Sequence, residues 1–193
     1  MAVTIDEQYQ KEIQLDMMQK FNKNLELLEA DGDGKVKAEV NQAFDKLNQL
    51  MLETYEKQLK GLKNKIAYIS ISFLWSYTLL GDYQLRVDLL DSLFWLDERE
   101  CSTQLEFTSF LKFMDDDIEY ILKQYISKGM VIYDYEKERL KREYIPIYKT
   151  LMENKFKGWV PKILGLSGFD QMQKEDDIKI TFGEYLDKTI PIY

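Results

Sequence analysis

The run from Val36 to Leu80 constrains this chain more than any other stretch. Apolar residues recur along it at Val36, Val40, Phe44, Leu47, Met51, Tyr55, Leu59, Leu62, Ile66, Ile69, Phe73, Tyr77 and Leu80, every step being three or four residues. That spacing is the buried stripe of an amphipathic helix. Forty-five helical residues would measure roughly 65 Å at 1.5 Å per residue, whereas a compact chain of this length is only about 40 Å across. The helix must therefore protrude or break. Gly61 is the expected break, because glycine costs about 1 kcal/mol in a helix interior. Composition also changes there. The outer face before Gly61 carries Lys46, Glu53, Glu56, Lys57 and Lys60, while Ile66–Gly81 carries no charge. Sixteen residues diluted by serine and threonine are short for a bilayer span, so this segment reads as a buried core helix.

The remaining pattern is read in the same way. Thr4-Ile5-Asp6-Glu7 has the form of a capping box, and Tyr9, Ile13, Met17, Phe21, Leu25 and Leu28 follow at helical spacing. Asp31-Gly32-Asp33-Gly34 then stops the helix and allows a reversal. Two helices of similar length joined by a short turn predict an antiparallel hairpin. Beyond Gly81, the leucines from Leu85 to Leu96 predict another helix. Thr103-x-x-Glu106 predicts a cap for a helix over Gln104–Lys128, and Thr181-x-x-Glu184 has the same form. The charge run Glu136–Glu143 reads as an exposed helix, Pro146 as a kink or restart, and Gly158 as a stop. Short strands are expected only at Met130–Tyr135 and Asp177–Phe182. The fold class expected is all-α. A hairpin over residues 1–60 would pack on, or protrude from, a helical core over residues 61–193.

Composition excludes several chemistries. Apolar residues make up 45% of the 193, enough for a folded core. The chain has no histidine and one cysteine, Cys101. Histidine-dependent triads, histidine-ligated metals and zinc fingers are therefore excluded. Neither a P-loop nor a GxGxxG turn occurs. Carboxylate-pair catalysis needs only acids and survives, but among 34 acids no pair stands out, and no enzymatic activity is expected. The net charge of −8 disfavours nucleic acid and anionic membranes. A lone cysteine and a start without signal-peptide character predict a cytoplasmic setting.

One motif carries a mechanism of its own. Glu29-Ala30-Asp31-Gly32-Asp33-Gly34-Lys35-Val36 resembles the calcium loop of EF-hand and dockerin proteins over residues 29–40. In that family, side-chain oxygens at the first, third and fifth loop positions coordinate the ion, the sixth is a turn glycine, the seventh gives a carbonyl and the twelfth a bidentate carboxylate. The resemblance implies Glu29, Asp31 and Asp33 as calcium ligands, Gly34 as the turn and Lys35 as the carbonyl donor. Val40 stands at the twelfth position and the nearest acid, Glu39, falls one residue early.

Two function classes follow. The first is a non-enzymatic acidic helical interaction module, a scaffold or stoichiometric inhibitor that binds a protein partner or a second copy of itself. Its expected interface is the outer half of the hairpin, at Phe21, Leu25, Leu28, Val40, Phe44, Leu47 and Met51. The second is a calcium-binding module built on the 29–40 loop.

Overall fold

The computed structural model describes residues 7–30 and 34–193. In chain order the elements are α1 (Glu7–Ala30), α2 (Lys35–Leu59), β1 (Ile66–Phe73), α3 (Trp75–Leu79), β2 (Gln84–Leu90), a 3₁₀ turn at Phe94–Leu96, β3 (Ser102–Glu106), α4 (Thr108–Ser127), α5 (Asp134–Leu164), α6 (Ser167–Gln171), β4 (Lys174–Glu184) and β5 (Thr189–Pro191). The five strands form one mixed sheet in the order β3-β2-β1-β4-β5. β1 pairs antiparallel with β2 and parallel with β4. The all-α expectation is therefore overturned: the protein is a mixed α/β fold.

The long stripe ends where its glycine stands. Gly61 has φ +70°, its amide donates to the Gln58 carbonyl, and the Leu62 amide donates to Lys57. This paired arrangement closes a helix with a left-handed residue, the conformation glycine takes without steric cost. Beyond it, Ile66–Phe73 is the central strand and not the expected core helix. Its charge-free composition is that of a strand buried on both faces. Ile69, Ile71 and Phe73 point to one side, while Ser70 and Ser72 point to the other, all of them buried. β2 corrects the Leu85–Leu96 helix in the same way, with Leu85, Val87 and Leu89 alternating against Arg86 and Asp88.

The apparent caps at Thr103 and Thr181 lie in β3 and β4. α4 begins later, at Thr108, and its first turn is capped from another element. Both carboxylate oxygens of Glu39, on α2, stand 3.0 Å from the Ser109 amide. Residues 130–133 are not a strand, whereas the expected strand at Asp177–Phe182 lies inside β4. α5 passes Pro146, Gly158 and Pro161 without ending. A proline inside a helix costs about 3 kcal/mol. Here the helix buries Leu140, Tyr144, Tyr148, Met152, Phe156 and Ile163, enough apolar contact to outweigh that cost.

The helices cover one face of the sheet. Ile69, Ile71, Leu85, Val87, Leu89, Leu105, Ile180 and Phe182 are all buried in a core continuous with side chains from α1, α2, α4 and α5. Of the two arrangements expected for the N-terminal helices, packing on the body or protruding from it, the helices pack. α2 packs on α6 and β3, and α1 packs on α4. Phe21 meets Tyr148 of α5 edge-on at 5.2 Å.

A buried polar knot fixes α1 against α4 and α5. The Asp117 carboxylate accepts from Asn24 at 2.7 Å and from the Tyr144 hydroxyl at 2.8 Å, with Tyr148 at 3.5 Å. The Tyr144 hydroxyl also stands 2.8 Å from the Met17 carbonyl. One hydroxyl proton cannot serve both acceptors fully. Burial pushes the Asp117 carboxyl above its ordinary range, against the hydrogen bonds it accepts and the charge of Lys20. Asp117→Ala should cost about 1–3 kcal/mol, since it strands buried partners. Asp117→Asn keeps a neutral hydrogen-bonding group but removes the titration. A raised folded-state pKa stabilises the fold fully only below the unfolded value of about 3.9. In urea unfolding, wild type should therefore gain stability relative to Asp117→Asn as pH falls through the folded-state pKa toward 4. A gap constant with pH would refute it.

Candidate functional site

Strand pairing lays out the face of the sheet opposite the helices. One row across the strands is Ser102, Asp88, Ser70 and Thr181, and the next is Gln104, Arg86, Ser72 and Gly183. The face is polar yet closed to solvent at its centre, where Ser70, Ser72, Asp88 and Thr181 are all buried. The hydroxyls of Ser70, Ser72 and Thr181 and the amide oxygen of Gln84 have no hydrogen-bond partner in the protein. A buried polar group without a partner costs about 1–3 kcal/mol. Four gathered on one face mark it as built for something other than packing.

Two loops form the roof. Tyr68 and Phe94 meet edge-on with ring centres 4.7 Å apart, Phe94 and Trp95 are also 4.7 Å apart, and Trp95 reaches Tyr185 at 5.7 Å. The Arg86 guanidinium lies 4.8 Å from the Tyr185 ring centre. This row of rings links Tyr68 of β1 to Tyr185, the residue that follows β4. Each roof loop contains a non-glycine residue in the left-handed region, Phe94 at φ +55° and Leu186 at φ +57°. Such conformations cost of order 1–3 kcal/mol and gather at ligand clamps and switch segments. At Gly183 the β4–β5 turn folds so close that a Cβ would lie 2.3 Å from the Lys188 carbonyl oxygen.

Ion pairs hold the floor and the base of the first loop. Arg86 grips Asp88 through Nε at 2.9 and 3.0 Å and through a terminal nitrogen at 2.8 Å. The same guanidinium donates to Glu100 at 2.7 Å. Burial raises the Asp88 carboxyl in spite of Arg86. Ser102 and Arg86 hold Glu100 below its ordinary value. Lys63, from the α2–β1 connection, is buried with Asp97 and also donates to the Arg99 carbonyl at 2.6 Å. Burial alone would raise Asp97, but Lys63 and the amides of Asp91 and Arg99 outweigh it and lower the carboxyl. Asn64 donates to Asp91 at 2.8 Å, and the Asp91 carboxylate accepts the Leu93 amide. The loop is thus tied at Asp91 and again at Asp97, on either side of the 3₁₀ turn that carries Phe94 and Trp95.

The site residues expected from the sequence lie elsewhere. Of the calcium-loop set, Asp31 and Asp33 fall outside the described residues. Glu29 is exposed near the end of α1, and Lys35 opens α2. Glu39 is committed to the Ser109 amide, and burial raises its carboxyl against that bond. Of the expected interface, Leu28, Phe44, Leu47 and Met51 are buried core residues, while Phe21, Leu25 and Val40 pack partly buried against them. These seven side chains fill the interior instead of presenting an outer seam. The acidic triplet splits. Asp115 binds Tyr83 and Lys141, Asp117 enters the polar knot, and Asp116 lies between them. Cys101 is buried, with Lys57 Nζ 3.6 Å from its sulfur. Sequence periodicity hides the sheet-face residues, because the longer stripe of helical period runs through Ile69-Ser70-Ile71-Ser72. Its strict alternation was the available signal.

No family model, curated protein or solved structure matches this chain. No helix among the described residues is long and apolar enough to cross a membrane.

Asp97→Ala should cost about 3–5 kcal/mol by leaving Lys63 buried and unpaired. The double change Lys63→Met with Asp97→Leu should cost less. Urea unfolding read by circular dichroism measures both. Equal losses in the single and double variants would show that the pair does not hold the loop.

Proposed function

We propose that this chain is a non-enzymatic protein-interaction module of the cytoplasm, and that it docks its partner on the outer surface of the two roof loops. The observation that carries the reading is the exposure of large apolar side chains there. Leu96 is 76% exposed, Leu186 61% and Leu93 59%, beside half-exposed Tyr185. The Trp95–Tyr185 ring contact joins the two loops, so these residues form one surface. Scattered exposed leucines need no explanation, but a contiguous apolar group rimmed by charge is the composition of a docking site. Its rim carries Glu98, Arg99, Glu100, Asp187 and Lys188. The anchors are aromatic and aliphatic, the kind that dominates binding energy.

The non-enzymatic part of the proposal rests on residue chemistry. No histidine is available as a general base, and the buried carboxylate of this face, Asp88, is held by Arg86. The acidic net charge favours a partner with a basic rim, and such an association weakens as salt rises. A second copy of the chain would instead be held by apolar contact and would survive high salt.

Leu96→Asp combined with Leu186→Asp tests the surface without touching the core. The variant should unfold at the wild-type midpoint within about 0.5 kcal/mol. It should also lose the association, read as light-scattering mass for a second copy or as cross-linked product for a different partner. Retention of that association by the double variant would remove this surface from the proposal.

A further inference from the structure

We propose that the polar face beneath the roof is a binding site for a small uncharged polyhydroxylated ring, a sugar or cyclic polyol, admitted when the tips of the two loops part. The proposal stands apart from protein docking, which uses the outer side of the same loops.

The floor specifies hydrogen bonding without charge. Ser70, Ser72 and Thr181 each present a hydroxyl that can donate and accept, and Gln84 presents an amide oxygen. All four polar atoms are buried and unpartnered, and they are four of the seven such side-chain atoms among the described residues. Ser70 and Thr181 are partners on adjacent strands, which places their backbones about 4.8 Å apart, while Ser70 and Ser72 are separated by about 6.6 Å along β1. This is a scale on which a six-membered ring can offer two or three hydroxyls at once.

Charge decides against anions. The floor's cation, Arg86, is matched bidentately by Asp88 and again by Glu100. A phosphate or carboxylate would have to displace one of them and would meet the other. Lys179 lies toward the rim, 5.9 Å from the Tyr68 ring centre. The roof supplies the complementary surface. Tyr68, Phe94, Trp95 and Tyr185 form a contiguous row of rings, the kind of surface against which the C–H faces of a saturated ring pack. A sugar has this combination, apolar on its faces and hydroxylated around its edge.

The loops can part at their tips. Asn64–Asp91 holds the first loop at its start and Lys63–Asp97 holds it directly after the 3₁₀ turn, so the segment that parts from Tyr185 is the short turn between the two anchors. The left-handed residues Phe94 and Leu186 sit at the tips, where strain is relieved by rotation of a few backbone angles. Closing over a ligand would exclude water from its hydrogen bonds, which strengthens them.

The test uses the full chain and a defined panel: D-glucose, D-galactose, N-acetyl-D-glucosamine and myo-inositol, with glucose 6-phosphate and uridine as contrasts. Binding is followed by calorimetry and by tryptophan emission at millimolar concentration. At least one neutral polyol should bind and alter the emission, and Trp95→Phe should abolish that change in emission. Ser70→Ala, Ser72→Ala and Thr181→Val should each weaken binding about tenfold, the loss of one hydrogen bond to the ligand. They should leave the unliganded melting temperature unchanged or higher, because each removes an unpartnered buried hydroxyl. Failure of the whole neutral panel overturns the proposal, as does preferential binding of glucose 6-phosphate or uridine. So does a lower unliganded melting temperature in all three variants, which would make the hydroxyls structural. Leu96→Asp with Leu186→Asp leaves the floor intact, so polyol binding retained by that variant keeps this result separate from the docking surface.

Discussion

The backbone ladder around β1 is the constraint on which the rest of the molecule depends. β1 is the central strand, bonded antiparallel to β2 and parallel to β4. The hairpin to β2 is local, but the parallel partner lies more than a hundred residues further along the chain. That pairing obliges α4, α5 and α6 to be traversed before the sheet is complete. The intervening helices have one place to bury their apolar stripes, the face carrying Ile69, Ile71, Phe73, Val87 and Phe182. A parallel connection demands such a long crossover, and the mixed sheet meets the demand with the longest helix of the fold.

With the helices gathered on one side, the other side of the sheet is left to the loops. Two short connections cannot supply a second hydrophobic layer of full depth. They supply three rings, which meet Tyr68 of β1, and several exposed leucines above a floor of serine, threonine, aspartate and arginine. The polar face and the apolar roof are therefore two sides of one topological fact. Burial of Asp88 is tolerated because Arg86 stands two residues away on the same strand and the same face, where a strand places side chains at i and i+2. The Lys63–Asp97 pair then fixes the roof to the segment entering β1, so roof and floor share their anchorage.

The sequence by itself determined the helices whose stripes were unambiguous and the chemistry that is ruled out. α1, α2 as far as Gly61, and the charged start of α5 follow from period and punctuation, and the missing histidines exclude imidazole chemistry whatever the fold. The strands were hidden by an arithmetic coincidence. A step of four residues keeps a side chain on one face of a helix and also on one face of a strand, so Ile69–Phe73 and Leu85–Leu89 fit both periods. Only pairing with a distant strand chooses between them. The same non-local logic governs α4, whose cap comes from Glu39 on another helix, and α5, which keeps its prolines because the core holds it. It also governs the candidate site. Ser70, Arg86, Thr181 and Trp95 are unremarkable where they stand in the chain, and strand register and loop closure alone bring them together.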